Sequence, residues 1–225
     1  DTPVGSGLGS SSTLTVAIVH AFSNLLMLDL DEYSIAKLAY EIERLDLGLM
    51  GGKQDQYSAA FGGFNFIEFH KNHDVIVNPL RISERSLCEL ESSIILYYTG
   101  TSRESSKIID EQTRLMTEKN NSTIEHLHKI KELTLIMKQH LLRGEIEKFA
   151  LDLDLSWQYK KLTASQISNE YIDSIYEKSK LAGAIGGKIS GAGGGGFLML
   201  FCHPEKRMDI LKVLEKQNGF VFPFM

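Results

Sequence analysis

The glycines of this chain do not scatter as turn residues do. Of the 19, 14 fall in five short clusters: Gly5/Gly7/Gly9, Gly51/Gly52, Gly62/Gly63, Gly186/Gly187 and Gly191/Gly193–Gly196. A residue without a Cβ is required where backbone approaches a ligand or a helix presses on a strand, and it is favoured where φ is positive. A fold for these 225 residues must therefore bring several stretches of backbone into near contact.

The first cluster, Pro3-Val4-Gly5-Ser6-Gly7-Leu8-Gly9-Ser10-Ser11-Ser12, feeds a helix expected over residues 10–28. A glycine turn ahead of a helix gathers unpaired N–H groups and the positive end of the helix dipole, which makes an anion site. Ser10, Ser11 and Ser12 are candidates to cap that helix, and one hydroxyl suits a phosphate-bound divalent cation. No Gly-Lys-Ser/Thr follows, so this is not a Walker A loop. Nor is it a dinucleotide fingerprint, because the sixth position counted from Gly5 is Ser10. The second cluster surrounds Asp55 in Gly51-Gly52-Lys53-Gln54-Asp55-Gln56-Tyr57. That carboxylate reads either as a surface helix cap or as a group set beside an accepting hydroxyl. The third, Lys188-Ile189-Ser190-Gly191-Ala192-Gly193-Gly194-Gly195-Gly196, formally holds G-x-G-x-x-G. It is expected to follow a helix and precede a strand over 197–201, the reverse of a dinucleotide loop.

Apolar periodicity places a second helix over 31–47, with both Glu41 and Glu43 flanking its apolar stripe. A hairpin is expected from 64–69 and 75–77, and a polar stretch over 79–91 marks a domain boundary near 85. A strand over 93–98, helices over 105–119, 123–142, 145–163 and 169–182, and a last helix from Pro204 to about 217 complete the reading. The class is α+β in two parts, 1–85 and 86–225.

The formal net charge is −5, which offers no basic face to nucleic acid or an anionic membrane. An anionic ligand must therefore be held by loop amides, helix ends and metal. Cys88 and Cys202 cannot build a disulfide framework, which fits a reducing, cytoplasmic setting. The run from Leu14 to Leu28 is broken by His20, Ser23 and Asn24 and reads as a buried core helix rather than a membrane span. Both ends read as cut, since the chain opens directly into a glycine loop and stops in the strand-like Phe220-Val221-Phe222.

The three glycine motifs, in this order and at these separations, resemble the GHMP kinase superfamily of small-molecule kinases, from Pro3 to about Phe201. Glu43-Arg44-Leu45-Asp46, Phe61-Gly62-Gly63-Phe64-Asn65-Phe66, Tyr98-Thr99-Gly100-Thr101-Ser102-Arg103 and Lys188-Ile189-Ser190-Gly191 are similar to its heptose phosphate kinase subgroup. The resemblance implies a ribosomal-S5-like first part and a ferredoxin-like second part, N-terminally truncated, because the family's first motif is absent here. It implies ATP and Mg²⁺ as cofactors and a sugar phosphate as acceptor, with the anomeric hydroxyl phosphorylated. A homodimer is compatible with it. Gly5, Gly7, Leu8, Gly9, Ser10, Ser11 and Ser12 would then hold the ATP phosphates. Ser11 and Glu43 would hold the metal, and Asp55 would be the catalytic carboxylate, as base or as positioning group. Gly191, Gly193 and Gly194 would close on the substrate, and Arg103 would reach its phosphate. The rival readings are a fucokinase- or galactokinase-like enzyme and a non-catalytic sugar/ATP sensor of the same fold.

Overall fold

The computed structural model describes residues 6–101 and 105–223. The chain divides into two units: Gly9–Arg81 forms one, and the segment ending at Leu8 joins everything from Ile82 onward in the other.

The Gly9–Arg81 unit opens with α1 (Ser10–Leu25), followed by α2 (Glu32–Glu41), a π-helical turn (Ile42–Asp46) and α3 (Gln54–Phe61). The expected hairpin is formed by β1 (Asn65–Phe69) and β2 (Val75–Pro79), antiparallel with Ile67 opposite Val77. Asp31 caps α2 through the Ser34 amide, the role its short acceptor side chain favours. Val16, Val19, Ile35 and Ala39 join α1 to α2, while Ala36, Tyr57 and Val77 bring in α3 and the hairpin. The expected core helix from Leu14 is packed on one side only. Leu14, Phe22 and Leu25 are exposed, because the residues that α1 turns inward are Ser12, Val16, Val19 and Ser23.

The expected helix over 31–47 is not α-helical throughout. From Ile42 the backbone widens to i→i+5 bonding, with Leu47 N–H donating to the Ile42 carbonyl at 3.0 Å. One residue more per turn shifts the phase of every side chain that follows, a device that recurs at functional sites.

The second unit is a β-α-β-β-α-β arrangement. Its strands are β3 (Ile94–Tyr98), β4 (Ala184–Ile189), β5 (Phe197–Cys202) and β6 (Phe220–Phe222), in the order β4-β5-β3-β6, all pairs antiparallel. That order is the ferredoxin-like one. The first crossover holds four helices, α5 (Ser105–Thr117), α6 (Asn121–Leu142), α7 (Ile146–Lys161) and α8 (Glu170–Leu181). A 3₁₀ turn (Pro204–Lys206) and α9 (Arg207–Leu214) make the second, in place of the single helix expected from Pro204. The polar 79–91 stretch is not loop throughout: it contains most of α4 (Glu84–Ser93), capped by the Ser83 hydroxyl. The core combines Ile95, Tyr97, Trp157, Ile172, Ile175, Tyr176, Leu198 and Leu200, all buried.

Gly186 and Gly187 lie inside β4. A Cβ at Gly186 would meet the Ala150 carbonyl oxygen of α7 at 2.3 Å, and one at Gly187 would meet the Met199 carbonyl at 2.2 Å. Gly186 is explained by helix α7 pressed onto the strand, and Gly187 by the neighbouring strand β5. The third glycine motif accordingly follows a strand, β4, rather than a helix, and is the turn of the β4–β5 hairpin. Among the described residues no helix is long and apolar enough to cross a membrane.

Candidate active site

The first glycine run is shared out between the units, Ser6 to Leu8 with one and Gly9 onward with the other. Each part is built differently.

In the Gly9–Arg81 unit, Gly9 precedes α1 at φ 72° and no side chain caps that helix. The serines, expected as caps, instead sit in its first turn, and two of them turn to one carboxylate. Ser11 Oγ donates to Glu43 Oε1 at 3.0 Å, and Ser12 Oγ donates to Glu43 Oε2 at 2.7 Å. Gln56 Nε2 also donates to Glu43 Oε2, and lies 3.1 Å from Ser12 Oγ. Glu43 is 1% exposed, so these donors stand in for the water it has lost. Glu41, which helical phase could not separate from it, is solvent-facing and pairs with Lys37 at 3.9 Å. Glu43 lies within the π-helical turn that begins at Ile42, and Glu41 just before it.

Arg44 brings its Nη2 within 4.0 Å of Glu43 Oε2 and donates from Nη1 to the carbonyls of Leu49 and Met50. Its guanidinium lies against Gly51, where a Cβ would come within 2.7 Å of Cζ. That contact explains a glycine of the second cluster without a ligand.

Asp55 lies in the first turn of α3, in the same unit. The Gly9 backbone packs against it, since a Cβ at Gly9 would stand 3.4 Å from the Asp55 carboxyl carbon. Burial pushes the Asp55 carboxyl above its ordinary value; the Arg44 cation opposes this and the Glu43 charge adds to it. Asp55 remains an exposed residue, and its raised carboxyl is a better proton acceptor than an ordinary one.

A donor set of one hydroxyl and one carboxylate is hard oxygen, the kind Mg²⁺ takes. The 3.0 Å between Ser11 Oγ and Glu43 Oε1 is also the spacing of neighbouring ligands on an octahedral ion with bonds of about 2.1 Å. Among the described residues there is no group of three acidic, His or Cys side chains for a metal. Mg²⁺ commonly takes one or two protein oxygens and completes its shell with water and phosphate, so these residues fit it.

In the other unit, Ser6 is fully buried and its carbonyl accepts from Phe197 N–H at 3.1 Å. Gly7, at φ 78°, lies against the third motif: a Cβ there would sit 2.5 Å from the Ser190 carbonyl oxygen. Gly191 is held reciprocally, 2.8 Å from the Gly7 Cα by the same measure. Gly193 abuts the Ile167 carbonyl, and Gly195 abuts that of Thr101. Gly194 and Gly196 donate to these same two carbonyls at 2.8 Å. Backbone closes on the turn from three sides, which accounts for its run of glycines. Leu8 is 37% exposed. Gly5 and Arg103 lie outside the described residues.

Sequence reasoning missed Gln56, the third donor to Glu43. Its neighbour Asp55 drew attention, yet nothing in Gln-Asp-Gln separates a buried amide from an exposed one.

The family model for the GHMP kinases N terminal domain matches residues 1–63, and that for GHMP kinases C terminal matches residues 137–218. The chain belongs to the GHMP kinase family. It is 46% identical over its whole length to D-glycero-alpha-D-manno-heptose 7-phosphate kinase of Campylobacter jejuni, and covers 66% of that protein. It is 28% identical, over 97% of its length, to the bifunctional fucokinase/GDP-fucose pyrophosphorylase of Arabidopsis thaliana, of which it covers 21%. A D-glycero-D-manno-heptose 1-phosphate kinase structure from Bacteroides thetaiotaomicron superposes with a TM-score of 0.79 at 42% identity. That match covers 100% of this chain and 62% of that one. The GHMP kinase fold follows, as the motifs led one to expect.

Proposed function

We propose that the complete protein is an ATP-dependent sugar kinase acting on the anomeric hydroxyl of D-glycero-D-manno-heptose 7-phosphate. Its product would be a precursor for nucleotide activation of the heptose. The observation that carries the reading is the buried carboxylate Glu43, gripped by Ser11 and Ser12, in the same unit as a burial-shifted Asp55. A silent sensor of the same fold would need neither group. The heptose acceptor rests on the names of the two heptose kinases similar to this chain.

In this reading the amides of Gly7, Gly9 and Ser10 wrap the ATP phosphates, and Gly191 to Gly194 close on the acceptor. Ser11 Oγ and Glu43 are the residues that would hold Mg²⁺, whose charge neutralises that developing on the transferred phosphoryl group. Ser12 and Gln56 fix the Glu43 carboxylate so that it cannot swing away. Asp55 orients the sugar hydroxyl for in-line attack on the γ-phosphorus and accepts its hydrogen bond, and the proton follows that bond as the new P–O bond forms and the bond from phosphorus to the ADP oxygen breaks.

The acceptor is tested by kcat/KM for the heptose 7-phosphate against free heptose, fucose, galactose and mevalonate. The proposal expects preference for the phosphorylated heptose by about 10–150-fold, since an unmatched charged subsite costs the wrong substrate about 1.5–3 kcal/mol. Equal or greater efficiency with a free sugar would reassign the enzyme within its family.

The metal assignment makes a separate prediction. Ser11→Ala is expected to raise the Mg²⁺ concentration for half-maximal rate by roughly 10–100-fold, the usual effect of weakening a metal site. An unchanged magnesium response in a folded variant would remove Ser11 from that site.

A further inference from the structure

Glu43 is held unequally by its two carboxylate oxygens. Oε2 faces three groups: the Ser12 hydroxyl donates to it at 2.7 Å, the Gln56 amide donates from Nε2, and Arg44 Nη2 stands at 4.0 Å. Among the described residues Oε1 accepts from Ser11 alone, at 3.0 Å. Ser12 and Gln56 are also joined to each other, since Gln56 Nε2 lies 3.1 Å from Ser12 Oγ. With its own proton given to Glu43, that hydroxyl oxygen accepts from the amide, and the three groups close a triangle of hydrogen bonds. Ser12 comes from the first turn of α1, Gln56 from the first turn of α3 and Glu43 from the π-helical turn, all in one unit.

Packing alone would not choose a glutamine here. Gln56 is fully buried, and its Oε1 is enclosed with no hydrogen-bond partner among the described residues. An apolar side chain of similar size would fill the place without leaving an acceptor unpaired. Turning the amide over gives no relief, because Oε1 would then face the carboxylate. What the residue supplies is two N–H donors, one for Glu43 Oε2 and one for Ser12.

A carboxylate oxygen that accepts two hydrogen bonds has no lone pair left for a metal. Glu43 is therefore left with Oε1, beside Ser11, to offer to an ion. One-point binding suits Mg²⁺, which demands octahedral geometry at about 2.1 Å. Ca²⁺ takes roughly six to eight oxygens at about 2.3–2.6 Å and accepts carboxylates through both oxygens. We propose that Ser12 and Gln56 set the metal preference of this site, locking Glu43 into one-point binding that favours Mg²⁺ over Ca²⁺. The lock rests on the reading that Ser11 and Glu43 hold the metal of a bound nucleotide.

The test is calorimetric titration of the complete protein with the non-hydrolysable ATP analogue AMP-PNP, as its magnesium complex and as its calcium complex, which requires no turnover. The parent is expected to bind the magnesium complex more tightly. Gln56→Met keeps the volume and removes both N–H donors. The ratio of the two affinities should then shift toward calcium by about tenfold or more, the scale on which groups behind a metal ligand act. Ser12→Ala removes the other donor by a smaller change and should shift the ratio the same way, so the result does not hang on one variant folding. A merely structural role would lower the melting temperature and weaken both complexes alike, leaving their ratio unmoved. A parental ratio in the folded variants, or a parent without preference for magnesium, would overturn the lock. Ser11→Ala tests the underlying reading separately, since it should weaken both complexes. If it binds both as the parent does, the metal reading fails and the lock with it. If it weakens both while the Gln56 and Ser12 variants keep the parental ratio, the lock alone fails.

Discussion

Asp55→Asn in the complete protein is expected to keep fold and ATP affinity while lowering kcat by about 10²–10⁴-fold, the range of a positioned acid–base group. Asparagine matches aspartate in size and retains some hydrogen bonding. It supplies no negative charge and accepts no proton, so ground-state binding survives and the transition state loses its support. The structure sharpens this, because the exposed Asp55 stands against the Gly9 backbone and desolvation of its carboxyl raises its proton affinity. A surface cap would forecast otherwise. Asparagine caps helices about as well as aspartate, so a capping Asp55 would leave every rate unchanged. Single-turnover rates in rapid quench, beside ATP titrations, separate the two. Equal single-turnover rates would remove Asp55 from the chemistry.

Gly7→Val should be the most damaging single change in the glycine loops. Gly7 sits at φ 78°, where a β-branched side chain is strained, and its Cβ would collide with the Ser190 carbonyl at 2.5 Å. Strain and overpacking each cost about 1–3 kcal/mol. Together they force Ser6 to Leu8 away from the Gly191 turn, and ATP affinity is expected to fall at least about 100-fold. Gly52→Ala is the matched control, because a Cβ there meets nothing within 4 Å and the backbone is not left-handed. Calorimetry on both variants, with circular dichroism to establish folding, reads the difference. Unchanged ATP affinity in a folded Gly7→Val protein would take this loop out of the nucleotide site.

The glycine clusters carried most of what could be read in advance, but they did not all mean the same thing. Gly7 and Gly191 face each other's backbone. Gly51 makes room for Arg44, and Gly186 and Gly187 let α7 and β5 close on β4. Composition shows the lack of a Cβ, not what fills the space. The strand β4 was illegible because Ala-Ile-Gly-Gly-Lys-Ile carries two poor strand formers, and β5 and α7 supply the pairing and packing that override them. Helix α4 was hidden by its polar composition, since only Ser86, Leu90 and Ser93 are buried along it. Glu41 and Glu43 are not separable in sequence because both flank the apolar stripe, and the donors that single out Glu43 come from the distant Ser11, Ser12 and Gln56.

The central claim is transfer of a phosphoryl group from ATP to the anomeric oxygen of a phosphorylated heptose. Phosphorus NMR of the complete protein with Mg·ATP and D-glycero-D-manno-heptose 7-phosphate observes the bond that forms. The account predicts stoichiometric ADP and a new anomeric phosphate resonance, coupled to the sugar H1, beside the unchanged 7-phosphate. ATP left intact, or converted only to ADP and inorganic phosphate with the sugar unaltered, would contradict it.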